Sequence, residues 1–186
     1  IQRLFTEYVF IFWFLIILEL ALVWGLSLAI NKIPAVVAIL AFMFYSALNG
    51  VTLSIIFLAY TEASIASTFF ITAFMFVGTS IFGYVTRIDL SRIGGFMFMA
   101  LIGLIIASVA NIFLASEPVY WLISYAGVII FVGLTAYDTQ KIKNMSTGID
   151  TSSEEGSKAS IMGALALYLD FINLFLFLLR ILGRKR

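Results

Sequence analysis

The stretch ALALYLDFINLFLFLL, residues 164–179, is almost unbroken hydrocarbon with one carboxylate, Asp170, near its middle. A helix rises ~1.5 Å per residue, so about 20 apolar residues cross a ~30 Å hydrocarbon core. The apolar run continues on both sides, from 161 to 182, and therefore reads as a transmembrane span. An acid inside such a span is costly enough to mark a functional site, and its partner has to be found. Asp170 lies about 9 residues, or ~13 Å, from the start of the span. Its side chain is too short to reach the interface.

Composition extends this reading to the whole chain of 186 residues. Hydrophobic residues make up 63% and charged residues 11%, against roughly 45–50% and 25% in soluble domains. Mean hydropathy is +1.13. A chain of this length cannot hide so much apolar surface in a water-soluble core. With a net charge of +1, nucleic acid is not an expected partner; the lipid bilayer is. The absence of cysteine and histidine rules out thiolate and imidazole metal sites, serine–histidine catalysis and a histidine pH switch. Any response to pH falls to carboxylates.

Six apolar stretches are long enough to span, at approximately 5–30, 34–59, 63–86, 93–114, 118–138 and 161–182. None alternates as a membrane strand does. The expected fold is all-α, a polytopic transmembrane helical bundle forming one membrane domain over residues 1–186. The chain opens at Ile1 rather than Met, and one further helix is expected before it. The segment QKIKNMSTGIDTSSEEGSK, residues 140–158, reads as a solvated, mobile loop, and Pro34 marks a helix start.

Lys32, Arg87, Arg92, Lys141, Lys143 and Lys158 fall in the first, third and fifth connections, whereas the second and fourth hold no base. By the distribution of positive charge the odd connections are cytoplasmic. Six spans then place both ends of the chain outside, in conflict with the tail RILGRKR (180–186) and its four basic residues. A re-entrant last segment would remove the conflict.

Three acids lie in or at the edge of spans: Glu19, Asp138 and Asp170. Glu19 has a structural alternative, a hydrogen bond to a neighbouring helix. Asp138 could mark the membrane boundary, with Lys141 at i+3 as a local partner. If the last two spans are antiparallel neighbours, Asp138 and Asp170 share the cytoplasmic half of the membrane. Tyr137 and Tyr168 then lie beside them, and Asn173 lies one turn from Asp170 as a donor. Two carboxylates meeting at low dielectric cannot both ionise cheaply, so they share a proton. Such a pair is a proton-operated latch between helices. Ser46 and Gly50 suggest close helix approach. Asn49 and Asn111 suggest interhelical hydrogen bonds, and Trp13, Trp24 and Trp121 suggest lipid or interface contacts.

The segments AYDTQKIK (136–143) and ALALYLDFINLFLFLLRILG (164–183) together resemble the transmembrane Bax inhibitor motif family, including its bacterial members. The second is close to that family's last helix. LEL around Glu19, SALNGVTLS (46–54) and ANIFL (110–114) fall where members carry similar stretches. The resemblance implies seven helices, a bacterial inner-membrane location and a calcium leak pathway that acid opens. It implies that Asp138 and Asp170 are the pH sensor and gate, and that Glu19 faces the pathway. Bacterial relatives latch an arginine onto the sensor. The nearby base here is Lys32, which lacks the guanidinium fork. Calcium takes six to eight oxygen ligands. Asp138, Asp170 and Glu19 are too few for a tight site and suit transient binding of a permeant ion, with no resident cofactor.

Other functions would draw on the same residues. An intramembrane aspartyl protease would also use two aspartates, and AYD (136–138) fits one half. The second half requires Gly-x-Gly-Asp where this chain has Leu-Tyr-Leu-Asp (167–170), so the chain is not expected to be an enzyme. A non-conducting regulator that binds another membrane protein, in protease quality control or cell-death control, would use TSSEEGSK and the tail as contact surface. A proton-coupled transporter calls for paired inverted repeats and broken helices, which are not evident.

Overall fold

The computed structural model describes residues 2–147, 150 and 153–186, with side chains from Phe14 onward. Its helices are α1 (Gln2–Ala29), α2 (Ala35–Leu53), α3 (Ile56–Ala59), α4 (Glu62–Val85), α5 (Ser91–Leu114), α6 (Glu117–Ser146) and α7 (Glu154–Leu182). Among the described residues there is no strand, only an isolated antiparallel bridge between Tyr60 and Lys185. Among the described residues five helical segments are long and apolar enough to cross a membrane: Ala35–Ala59, Glu62–Val85, Ser91–Leu114, Glu117–Ser146 and Glu154–Leu182. The expected first span, 5–30, falls on α1, whose residues 2–13 are described as backbone only.

The chain groups into two compact units, residues 1–59 with 149–162 and residues 60–148 with 163–186. In the first, α1 packs on α2. Pro34, at φ −60° and ψ 148°, leads into α2. Ser54 interrupts the expected 34–59 helix: its Oγ donates to the Val51 carbonyl at 2.7 Å, and α3 follows as a short turn.

In the second unit α6 is the central element. Ile123, Ile130, Phe131 and Leu134 of α6 join Leu104 of α5 and Leu174 and Leu178 of α7 in one apolar core. Phe131 stacks on Phe177 with ring centroids 5.8 Å apart, and Phe171 meets Phe76 edge-on at 5.4 Å. The outer surfaces stay apolar, with Phe74 78% and Phe113 84% exposed, as helices facing lipid require.

Lipid tails are as apolar as leucine, so helix association in a membrane rests on close van der Waals packing and hydrogen bonds. Glycines supply the approach. A Cβ on Gly83 would strike the Ala136 backbone, one on Gly94 the Tyr137 ring, and one on Gly133 the Met97 side chain at 2.8 Å. Among the described residues a Cβ on Gly50 meets nothing within 4 Å, so no close approach is seen at that glycine. Several buried hydroxyls on these helices turn back to their own backbone, whereas Thr68 Oγ1 and Ser80 Oγ find no partner among the described residues. Thr72 donates to Thr68 O at 2.8 Å and Thr135 to Phe131 O at 2.7 Å, which keeps polar atoms satisfied where water is absent.

The expected loop 140–158 is shorter than the sequence suggests; its residues 148, 149, 151 and 152 lie outside the described residues. Helix α6 continues to Ser146, and Lys143 in its last turn donates to the Tyr84 carbonyl at 2.6 Å. Helix α7 starts with Ser153 accepting the Gly156 N–H on Oγ at 3.0 Å, followed by the Glu154–Lys158 pair at 3.0 Å. A serine cap and acids in the first turn are standard helix-start chemistry.

The tail is not re-entrant. Helix α7 is continuous over 29 residues, and Arg184 O accepts the Thr61 N–H at 3.0 Å. Arg186 pairs with Glu62 at 3.3 Å. Within this unit the basic tail therefore shares an end with the base-free connection before α4.

Candidate functional site

Asp138 sits on α6 and Asp170 on α7, and the structure brings their carboxyl groups within hydrogen-bonding reach of each other. Asp170 is 4% exposed, and its Oδ2 is buried without an amide, hydroxyl or ammonium donor. Asp138 is half-buried. A hydrogen bond between two carboxyls needs a proton on one of them, whose O–H donates to the other's oxygen. With no other donor on Asp170 Oδ2, the two acids have chiefly each other as partners.

The packing explains why the two meet. Gly83 lets α4 press against the backbone at Ala136, and the Tyr137 ring fills the space over Gly94 of α5. The first positions α6 just before Asp138, and the second turns Tyr137 toward α5. Across from them, Phe171 anchors α7 beside Asp170 through its edge contacts with Phe69 and Phe76, at 5.6 and 5.4 Å. One half-turn beyond Asp138, the side chain of Gln140 reads the α4–α5 connection at both ends. Its Oε1 accepts the Leu90 N–H at 2.8 Å and its Nε2 donates to Ile88 O at 2.8 Å.

The neighbours named from sequence divide. Lys141 is close enough for its charge to act on Asp138, yet the two form no ion pair; its Nζ lies 6.0 Å from the Tyr137 ring centre. Asn173 does not serve Asp170. Its Nδ2 donates to Leu169 O at 2.8 Å, because a helical asparagine can turn back to the carbonyl four residues earlier. Tyr168 is half-buried on α7.

Glu19 belongs to the other unit and has its own partners. Asn49 Nδ2 donates to its Oε2 at 3.0 Å, and Thr52 Oγ1 donates to its Oε1 at 2.5 Å. Both oxygens are thus satisfied across α1 and α2, with Glu19 8% exposed. Lys32 is exposed in the turn after α1. Asn111 makes no interhelical bond: its Oδ1 accepts the Ser116 N–H at 3.1 Å at the end of its own helix. Trp24 is 71% exposed on the lipid-facing surface, whereas the side chain of Trp13 lies outside the described residues. Among the described residues no group of three or more acids is close enough to hold a metal ion.

Gln140 and Thr52 are missing from the sequence reading. Thr52 stands three residues after Asn49, on the same helical face, which was the available signal. Gln140 stands at the head of a segment read as loop, and nothing local marked it as buried.

Comparison with known proteins gives one family across the chain. A family model described as "Inhibitor of apoptosis-promoting Bax1" matches residues 2–186. The inner membrane protein YbhL of Escherichia coli is 58% identical over 186 residues, covering 100% of this chain and 79% of the relative. A protein of Borreliella burgdorferi is 48% identical over 172 residues, 92% of this chain and 74% of the relative. A membrane protein of Streptococcus pyogenes is 44% identical over 170 residues, 91% and 72%.

Proposed function

The chain belongs to the Bax inhibitor family, and from that premise we propose that it is a calcium leak pathway of the bacterial inner membrane, gated by protons at Asp138 and Asp170. Its membership and its apolar helices make it an integral membrane protein, and the name of the Escherichia coli relative supports the inner membrane. The observation that carries the gating reading is the carboxyl–carboxyl contact between Asp138 of α6 and the buried Asp170 of α7.

With one proton the pair holds one negative charge in a charge-assisted O–H···O bond, about twice as strong as a neutral one. That state latches the helices. A second proton removes the charge and leaves a neutral bond; that acid opens the path is the sign the family resemblance implies. Losing the last proton would set two like charges side by side, worth about 4 kcal/mol of repulsion at 4 Å and an effective dielectric of 20. The Asp138 and Asp170 carboxyls supply hard oxygen ligands for a passing divalent cation. So few carboxylates hold such an ion briefly, as conduction requires. In this reading calcium is the cargo and the protein carries out no catalysis.

Calcium flux into proteoliposomes, measured across pH, tests the proposal. The wild type should leak more as pH falls. Asp138→Asn and Asp170→Asn should each flatten that dependence, because the amide replaces the titrating partner. Unchanged flux and pH profile in both variants would leave a non-conducting binding protein as the better description.

A further inference from the structure

The second unit holds a cavity of about 410 Å³ away from the aspartate pair, where α5 turns into α6 beside the tail. Asn111, Ser116, Glu117, Tyr120, Trp121 and Lys185 line it. Its size lies within the ~300–1,000 Å³ range of ligand pockets. Ile112, Phe113 and Leu122, at the adjoining helix ends, are 72%, 84% and 69% exposed. The helices on either side are membrane spans, so the cavity opens at headgroup depth with acyl-chain surface next to it.

The cavity is held in shape by backbone. Ala115 takes the left-handed conformation, φ 47°, and closes α5 by donating its N–H to Asn111 O at 2.9 Å. Asn111 Oδ1 accepts from Ser116 N–H, which leaves the amide N–H groups of Asn111 as donors. On the other wall, Arg184 N–H donates to Ser64 Oγ at 2.7 Å, and the Tyr60–Lys185 bridge fixes the next residue. The Lys185 backbone is therefore pinned while its ammonium is free. Glu117 and Lys185 carry opposite charges on one cavity, yet neither makes an ion pair with any described residue. Trp121 stands beside them, edge-on to Tyr120 at 5.8 Å and stacked on Tyr125 at 6.2 Å.

We propose that this cavity binds the headgroup of phosphatidylethanolamine. The ligand must offer an anion to Lys185 and a cation to Glu117 within one small group, and phosphoethanolamine carries both. Its phosphate meets Lys185 with Asn111 N–H and Ser116 O–H as further donors. Its ammonium donates to the Glu117 carboxylate over the Trp121 ring, a cation–π arrangement at the depth where tryptophan and tyrosine gather. Phosphatidylglycerol leaves Glu117 facing an anionic headgroup without a cation. Phosphatidylcholine brings a quaternary ammonium with no N–H to donate.

The test uses the full chain in phosphatidylcholine nanodiscs doped with equal amounts of phosphatidylethanolamine and phosphatidylglycerol. Lipid retained through detergent exchange is identified by native mass spectrometry. The wild type should keep phosphatidylethanolamine with roughly tenfold enrichment over phosphatidylglycerol, the scale of one such interaction. Glu117→Gln should bring the ratio near parity, Lys185→Gln should lose both lipids, and Lys185→Arg should restore them. Arg186→Gln, which removes the partner of Glu62, should change nothing. Equal retention of the two lipids by the wild type overturns the assignment, and so does enrichment that survives Glu117→Gln. Loss in Arg186→Gln equal to that in Lys185→Gln also overturns it, since the tail's charge alone would then be responsible. The wild-type comparison needs no substitution, so a misfolded variant cannot decide the outcome.

Discussion

Gln140 shows what a single residue does here. It satisfies a buried backbone N–H at Leu90, 3% exposed, and a carbonyl at Ile88 with one planar amide. Gln140→Leu should lower stability by about 1–3 kcal/mol, the cost of leaving a buried donor unpaired. Gln140→Glu keeps the acceptor for Leu90 and loses the donor to Ile88, so it should fall between. Thermal unfolding in detergent orders the three. At this scale the sequence announced charges better than it announced partners. An acid among leucines stands out by its cost, which is why the contact of Asp138 with Asp170 was legible. The partners of Glu19 were only half legible, since Asn49 was expected to bond across helices but Thr52 looked like an ordinary hydroxyl. Asn173 misled, because a side-chain amide one turn from an acid can equally reach back to its own helix.

At the scale of elements, hydropathy found the spans and missed their ends. Helices α6 and α7 run into residues read as loop, because amphipathic turns stop looking apolar where they leave the membrane. Ser153, which caps α7, and Lys143, which reaches from the last turn of α6 to the Tyr84 carbonyl of α4, resemble loop composition in the sequence. The glycines were also poorly legible. Gly83, Gly94 and Gly133 each face a close neighbour while Gly50 faces none, and only the rotation of each helix distinguishes them. The end of α5 offers a test of backbone strain. Ala115 sits at φ 47°, where a Cβ costs ~1–2 kcal/mol relative to glycine. Offsetting this, glycine loses more entropy on folding. Ala115→Gly should therefore stabilise the chain by about 0.5–1 kcal/mol, seen as a higher midpoint in thermal unfolding. A lower midpoint would mean that this methyl packs favourably.

For the whole molecule, the arrangement of the second unit says which part can move. Helix α6 is gripped by α4 and α5 through Gly83, Gly94, Gly133 and the Gln140 clasp. Helix α7 is held at its far end by the Phe131–Phe177 stack and the tail's bonds to Thr61 and Ser64. In the proposed gate α6 is the stator and α7 a lever with its fulcrum at the tail end, so a stroke at Asp170 has to break the Phe171 contacts with Phe69 and Phe76. The chain has no cysteine, and paired thiols can therefore be placed without background. A Cβ on Gly163 would lie 2.9 Å from Ile142 Cγ1, and one on Gly133 2.8 Å from Met97 Cγ, so cysteines at either pair have their sulfurs in reach. Oxidising Gly163→Cys/Ile142→Cys should clamp the lever and abolish acid-dependent calcium flux. Oxidising Gly133→Cys/Met97→Cys, which only rivets the stator to its frame, should leave the flux intact.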